Sequence, residues 1–191
     1  MTLVEEKKLL RTEIKNRISN LSAEYVRESD KAIVQNMLQH PWYQEANMIF
    51  CFVGTEKEIH TKLFLEQAFA DHKRVCVPLC VAKGVMEPRE IGSLSELVQQ
   101  GHYGILEPAN NSRRVLTDEI DLAILPCVTY NKKGERLGHG GGYYDRFLEK
   151  AGFRSILICR EQLLSEQIPM EEHDIRIPAV ITELGCFSTM E

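Results

Sequence analysis

DLAILPCVTYNKKGERLGHGGGYYDRFLEKAGFRSILIC, residues 121–159, sets two short apolar runs on either side of a glycine-crowded loop and an amphipathic segment. DLAILP (121–126) and RSILIC (154–159) are short, apolar and rich in branched residues, so they read as buried strands. GGYYDRFLEKAG (141–152) between them reads as a helix. A strand, a crossover helix and a second strand make parallel pairing the expected arrangement.

The same alternation extends outward. MIFCFV (48–53) and RVCVPLCV (74–81) are buried-strand runs, with TKLFLEQAFADH (61–72) as the helix between them. VMEPREI reads as a more exposed strand, SLSELVQQG as a short helix and PAVITE (178–183) as a last short strand. Two helices open the chain within residues 3–39. Thr2 and Glu5 form a capping-box signature before the stripe Leu10, Ile14, Ile18 and Leu21. Ser22 caps the second helix, which runs through Val26, Ile33, Val34 and Met37 and stops before Pro41. The expected fold is α/β: one three-layer domain over residues 1–191, with a central, mainly parallel sheet.

The chain of 191 residues is 43% apolar and 27% charged, an ordinary globular composition that excludes disordered and fibrous classes. No apolar run is long enough to span a bilayer, and the start lacks an export or import signal, so a cytoplasmic protein is expected. A net charge of −5 speaks against nonspecific nucleic-acid or membrane-surface binding. If the ligand is anionic, its cationic partners must be local. The cysteines at 51, 76, 80, 127, 159 and 186 mostly fall in apolar runs and read as reduced thiols. Cys76 and Cys80 have no second pair or nearby histidine to make a metal site.

The loop RLGHGGGYYDR (136–146) carries the chemistry. Glycines at 138, 140, 141 and 142 let backbone amides close around an anion, and Arg136 adds a permanent charge. A glycine-rich tight turn is the plainer alternative. Neither GK[ST] nor GxGxxG is completed. Asp145, one turn into the helix, is placed for a magnesium ion or for simple complementation of the helix dipole. Lys7, Arg11 and Lys15 share one helix face, which spacing alone reads as solvated. Glu58, just past the first strand, can accept two N–H bonds from a pterin-like edge or stand as a surface acid. The six histidines form no ligand-spaced pair, and no GxSxG elbow occurs.

Taken together, LPCVTYNKKGERLGHGGGYYDRFL (125–148) resembles the signature of the 5-formyltetrahydrofolate cyclo-ligases. KKLLR (7–11), EIHT (58–61), GHYGILEP (101–108) and HDIRIPAVITE (173–183) follow the same family in order. The resemblance implies ATP- and magnesium-dependent closure of 5-formyltetrahydrofolate to 5,10-methenyltetrahydrofolate by a monomer, on a fold like that of sugar-phosphate isomerases and CoA transferases. By position, Lys7, Lys8 and Arg11 would meet ATP, with Arg136, Leu137, Gly138, His139, Gly140, Gly141, Gly142, Tyr143 and Tyr144. Val53, Glu58, Tyr103, His139, Gly140, Gly141, Gly142 and Tyr143 would meet the folate. Asp145 and Asp174 would hold magnesium, and Arg136 and Asp145 would be catalytic.

The family's usual Phe-Asp pair is Tyr130-Asn131 here, which removes a negative charge. Asn131 can still form an Asx turn but cannot serve as a base. The alternatives are a nucleotide-binding regulator that has lost catalysis, or an isomerase- or transferase-like enzyme of similar architecture.

Overall fold

The computed structural model describes residues 1–99 and 105–189. Helices α1 (Leu3–Ser19), α2 (Ala23–Gln39), α3 (Pro41–Glu45), α4 (Lys62–Ala70) and α5 (Tyr143–Leu148) accompany a seven-stranded sheet. In chain order the strands are β1 (Met48–Cys51), β2 (Arg74–Ala82), β3 (Val85–Ile91), β4 (Leu97–Gln99), β5 (Leu106–Pro108), β6 (Leu122–Leu125), β7 (Thr129–Tyr130), β8 (Arg136–Leu137), β9 (Arg154–Ile158), β10 (Ala179–Thr182) and β11 (Gly185–Ser188). The sheet runs β11-β10-β9-β6-β1-β2-β3, while β4-β5 and β7-β8 form separate two-stranded ribbons. Its five inner strands are parallel, and β3 and β11 join antiparallel at the edges.

Strand alternation divides the core into two layers. Ile49, Cys51, Leu122, Ile124, Ile156 and Ile158 face the cluster built by Ile33 and Met37 of α2, Tyr43 of α3 and Phe64 and Leu65 of α4. Phe50, Ala123, Leu125, Leu157 and Val180 face the other way, against Ile14 of α1 and Phe147 and Leu148 of α5. Side chains point alternately across a pleated strand, so each apolar run fills both interfaces. This is the expected three-layer α/β arrangement.

The N-terminal helices begin where their caps require. Thr2 and Glu5 form the reciprocal capping box, with N–H···O distances of 2.8 and 3.3 Å. Ser22 accepts from the Tyr25 amide at 3.1 Å, and Pro41 opens α3 directly after His40.

Three expectations are corrected. The helix expected in SLSELVQQG is not formed over its described residues 93–99: a single 3-10 turn at Leu94–Glu96 gives way to β4, which pairs with β5. Tertiary pairing here overrides local propensity. The helix expected over 141–152 is only Tyr143–Leu148, because Gly141 and Gly142 stay in the loop. PAVITE is not the last strand, since β11 follows it and caps the sheet. The hairpin β7-β8 and the short α3 are further elements that the sequence reading did not contain.

Candidate active site

The chain leaves β1 toward β2 on one side and leaves β6 toward β9 and β10 on the other. Between β1 and β6 the order reverses, and a crevice opens outside the carboxyl ends of the strands. The register Ile49↔Leu122 and Phe50↔Ala123 locks the two strands, and Asp121 Oδ2 accepts the Asn47 and Met48 amides at 2.8 and 2.9 Å. A cleft of about 280 Å³ lies at this end, lined by Phe52, Thr55 and Glu58 after β1, Cys127 after β6, and Arg160 after β9. Arg11 of α1 and His139 of the glycine loop complete its rim.

Glu58 is placed by its own turn. Its Oε2 accepts the Thr55 amide at 3.0 Å and the Thr55 hydroxyl at 2.9 Å, while His139 Nε2 lies 3.3 Å from Oε1. Burial pushes this carboxyl up, but the bonds from His139 and Thr55 outweigh it and hold Glu58 below the usual glutamate range. An anionic acceptor therefore faces the cleft at neutral pH.

The hairpin β7-β8 aims Arg136. The guanidinium is almost wholly buried, its Nη2 donates to Asp145 Oδ1 at 2.6 Å, and its buried Nε has no acceptor among the described residues. The loop 138–142 therefore begins and ends on one ion pair. Gly140 has φ +98°, and a Cβ there would meet the Arg11 guanidinium at 3.4 Å. Gly142 opens α5 with φ +67°, a conformation that strains any L side chain. Among the described residues, no acceptor takes the N–H groups of residues 138–142. A run of free amides beside an arginine is an anion cradle.

The face of α1 expected to be solvated is docked. Lys7 is buried, with Nζ 2.6 Å from both Glu171 Oε2 and Asp174 Oδ2. Desolvation lowers its pKa, yet the two hydrogen-bonded carboxylates more than restore it and leave it raised. The Asp174 carboxyl is correspondingly lowered: burial opposes this, but the Glu171 amide and Lys7 prevail. Arg11 Nε donates to the Gly138 carbonyl at 2.8 Å, so α1 touches the glycine loop directly.

The remaining expected residues fall in several places. Lys8 is exposed on α1. Val53 and Leu137 are buried, with Val53 in the α2–α4 core layer and Leu137 in the short hairpin. Tyr144 packs against Phe50 with ring centroids 6.5 Å apart, and burial drives its hydroxyl pKa well up. Tyr143 is half-buried against Gly141, where a Cβ would come within 2.6 Å of its ring. Tyr103 lies outside the described residues. Asp174 forms a group with Glu171 and His173 whose ligand atoms lie within 4.8 Å of one another; Asp145 is not part of it.

Asn131 is buried away from the cleft. Its Oδ1 accepts the Lys133 and Glu135 amides at 3.0 and 3.2 Å, and its Nδ2 donates to Glu135 Oε2 at 2.6 Å. It is a turn residue, and an aspartate in its place would face the Glu135 carboxylate. The sequence reading missed Arg160, which is buried, donates through Nε to Ser29 and through Nη2 to Asp30, and reaches the Glu58 carbonyl at 3.3 Å. Its available signal was an arginine placed directly after the apolar run ILIC (156–159).

This arrangement, a cleft with an anionic acceptor beside a glycine-rich loop, coincides with a family match over residues 3–183. The chain belongs to the 5-formyltetrahydrofolate cyclo-ligase family. The 5-formyltetrahydrofolate cyclo-ligase of Escherichia coli is 32% identical, covering 88% of this chain and 96% of its own. A probable 5-formyltetrahydrofolate cyclo-ligase of Schizosaccharomyces pombe is 30% identical, covering 93% and 95%. Among solved structures, the 5,10-methenyltetrahydrofolate synthetase of Aquifex aeolicus superposes with a TM-score of 0.85 at 23% identity, over 97% of this chain and 93% of its own. That likeness is one of fold. The cyclo-ligase family is a family of enzymes, and this chain is one of them. Among the described residues, no helix is long and apolar enough to cross a membrane.

Proposed function

We propose that the protein closes 5-formyltetrahydrofolate to 5,10-methenyltetrahydrofolate, consuming ATP and releasing ADP and phosphate, as a cytoplasmic monomer. The observation that carries this reading is the meeting, at one switch point, of Glu58 with a glycine loop whose amides are free. Glu58 accepts hydrogen bonds from the pterin edge, and the loop amides with Arg11 and Arg136 take the phosphates.

The formyl oxygen on N5 attacks the γ-phosphorus and ADP leaves. N10 then attacks the activated formyl carbon, the ring closes, and phosphate departs with the oxygen and takes up the proton that N10 loses. No protein nucleophile is required. Cys127, which lines the cleft, is kept as a neutral thiol, because burial pushes its pKa well up. Catalysis rests on placement and on neutralising charge along the transferred phosphoryl group.

Asp145 and Asp174 offer oxygen donors suited to a hard divalent cation. Asp145 gives one oxygen to Arg136, while Asp174 takes Lys7 and the Glu171 amide on Oδ2 and faces His173 with Oδ1 at 3.8 Å. The two stand in separate groups, Asp174 with Glu171 and His173 and Asp145 with Arg136, and either carboxylate would offer magnesium an oxygen donor and so screen the phosphate charge.

The regulator alternative drew on the lost aspartate. Asn131 lies in a buried turn with its amide bonded to Glu135, which supports a structural rather than a catalytic place for that position. The test is to mix protein, 5-formyltetrahydrofolate, ATP and magnesium and follow the near-ultraviolet absorbance of the methenyl product. A trace no higher than that of heat-killed protein refutes the reading.

A further inference from the structure

Residues 52–61 link β1 to α4 and carry Glu58. At the base of this loop, Thr61 Oγ1 accepts the Gly54 amide at 3.1 Å and donates to the Phe52 carbonyl at 2.8 Å. Gly54 runs so close to the opposite limb that a Cβ on it would stand 1.9 Å from the Ile59 carbonyl oxygen. Within the loop, Glu58 Oε2 accepts the Thr55 amide and hydroxyl, and the Glu58 amide donates to the Thr55 carbonyl at 3.1 Å. These bonds shape the turn; its position over the cleft depends on what grips it from outside.

That grip comes from α2 and from the residue after β9. Asp30 of α2 is buried; its Oδ1 accepts from Arg160 Nη2, and its Oδ2 meets His60 Nδ1 and, at 3.4 Å, the His60 amide. Arg160 is fixed in turn by Ser29 Oγ at 3.1 Å, and its Nη2 also donates to the Glu58 carbonyl at 3.3 Å. One ion pair, with side chains 3% and 8% exposed, thus holds the main chain at both ends of the segment 58–60. Such a pair is a weak source of net stability, because desolvation offsets its attraction. What it supplies is direction: buried and mutually bonded, its members allow the segment one arrangement.

We propose that Asp30 is a positioning residue: through Arg160 and His60 it holds the loop that presents the Glu58 carboxylate to the folate. The proposal rests on the reading of Glu58 as the folate's acceptor. An acceptor already in place binds without the cost of ordering its loop, and a loosened one loses that advantage. The groups assigned to the nucleotide stand on the glycine loop and α1, so the loss falls on the folate.

The test is Asp30→Ala, since Arg160 itself lines the cleft. In the ligand-free variant, amide exchange followed by NMR is about tenfold faster at Thr55, the donor to Glu58, with the β1 and β6 amides within about twofold of wild type. Calorimetry shows 5-formyltetrahydrofolate bound about tenfold more weakly. In turnover its KM rises alike, with kcat and the KM for ATP within about twofold. In a Glu58→Gln background the same substitution weakens folate binding by less than about twofold more. Wild-type exchange at Thr55, or faster exchange spread evenly over β1 and β6, overturns the proposal. So does full additivity with Glu58→Gln, or folate binding that Glu58→Gln weakens and Asp30→Ala leaves alone. A loosened Thr55 with folate binding untouched by either substitution defeats Glu58 as the folate's acceptor and leaves the positioning role standing. If Asp30→Ala does not fold, His60→Ala removes one link between the loop and Asp30 and gives the same pattern at about threefold; wild-type behaviour there overturns the proposal.

Discussion

Arg136 and Asp145 form the joint on which the glycine loop closes, and a double-mutant cycle on them reads the structure quantitatively. The contact is 2.6 Å, with the arginine side chain 3% exposed and the aspartate 22%. Asp145→Asn strips the partner from a buried guanidinium whose Nε already lacks an acceptor, and should destabilise the fold by about 3 kcal/mol. Arg136→Met strands the more exposed carboxylate, which water can partly solvate, for about 1–2 kcal/mol. In the double variant both charges go together, so the loss should be only about 1–2 kcal/mol and the coupling about 3 kcal/mol. For a chain of this size that coupling is worth roughly 6–12 °C in Tm. Urea unfolding of the four proteins measures it. Turnover should fall by at least about a hundredfold in all three variants, including the restabilised double. Additive single effects, or recovery of turnover along with stability, would refute the reasoning.

Glu58→Gln should weaken 5-formyltetrahydrofolate binding by about tenfold or more in calorimetry, since the acceptor becomes neutral. In wild type, Glu58 titrates below its ordinary 4.5, so its contribution to stability is present above that pH and lost as pH falls through the depressed value. Lys7→Met should cost about 1–2 kcal/mol at neutral pH. Asp174 titrates below 3.8 and Lys7 above 10.5, so the pair's contribution is lost as pH falls through the first or rises through the second. Denaturation at about pH 3 should therefore show a smaller gap between Lys7→Met and wild type than at pH 7. Asn131→Asp, which sets a carboxylate against Glu135, should destabilise by about 1–2 kcal/mol, with turnover per folded molecule within about twofold.

Five parallel strands were legible because each is a short apolar run whose two faces are both buried, a pattern few other elements produce. β11 was not, because its alternation of half-buried and exposed positions is that of an edge. The segment at 93–101 failed because β4 exists only through β5, several residues away. In the site, RLGHGGGYYD announced itself by composition. The docking of α1 did not: Lys7 looks like one member of a solvated stripe until Asp174, 167 residues later, is beside it. Arg160 and Asp30, 130 residues apart, were invisible for the same reason. Long-range ion pairs leave no local periodicity to read.

The reversal of strand order between β1 and β6 has a consequence for how this enzyme can be changed. The loop carrying Glu58 follows β1, and the glycine loop follows the β7-β8 hairpin that the chain forms after β6, so the β1–β6 register is the shared base beneath both. Either loop can lengthen or change composition while the register beneath holds the interval between them. His139 and Glu58 meet across that interval at 3.3 Å, so the two loops are coupled at one contact, and library design should vary residues 54–60 and 138–142 with that pair treated as a unit.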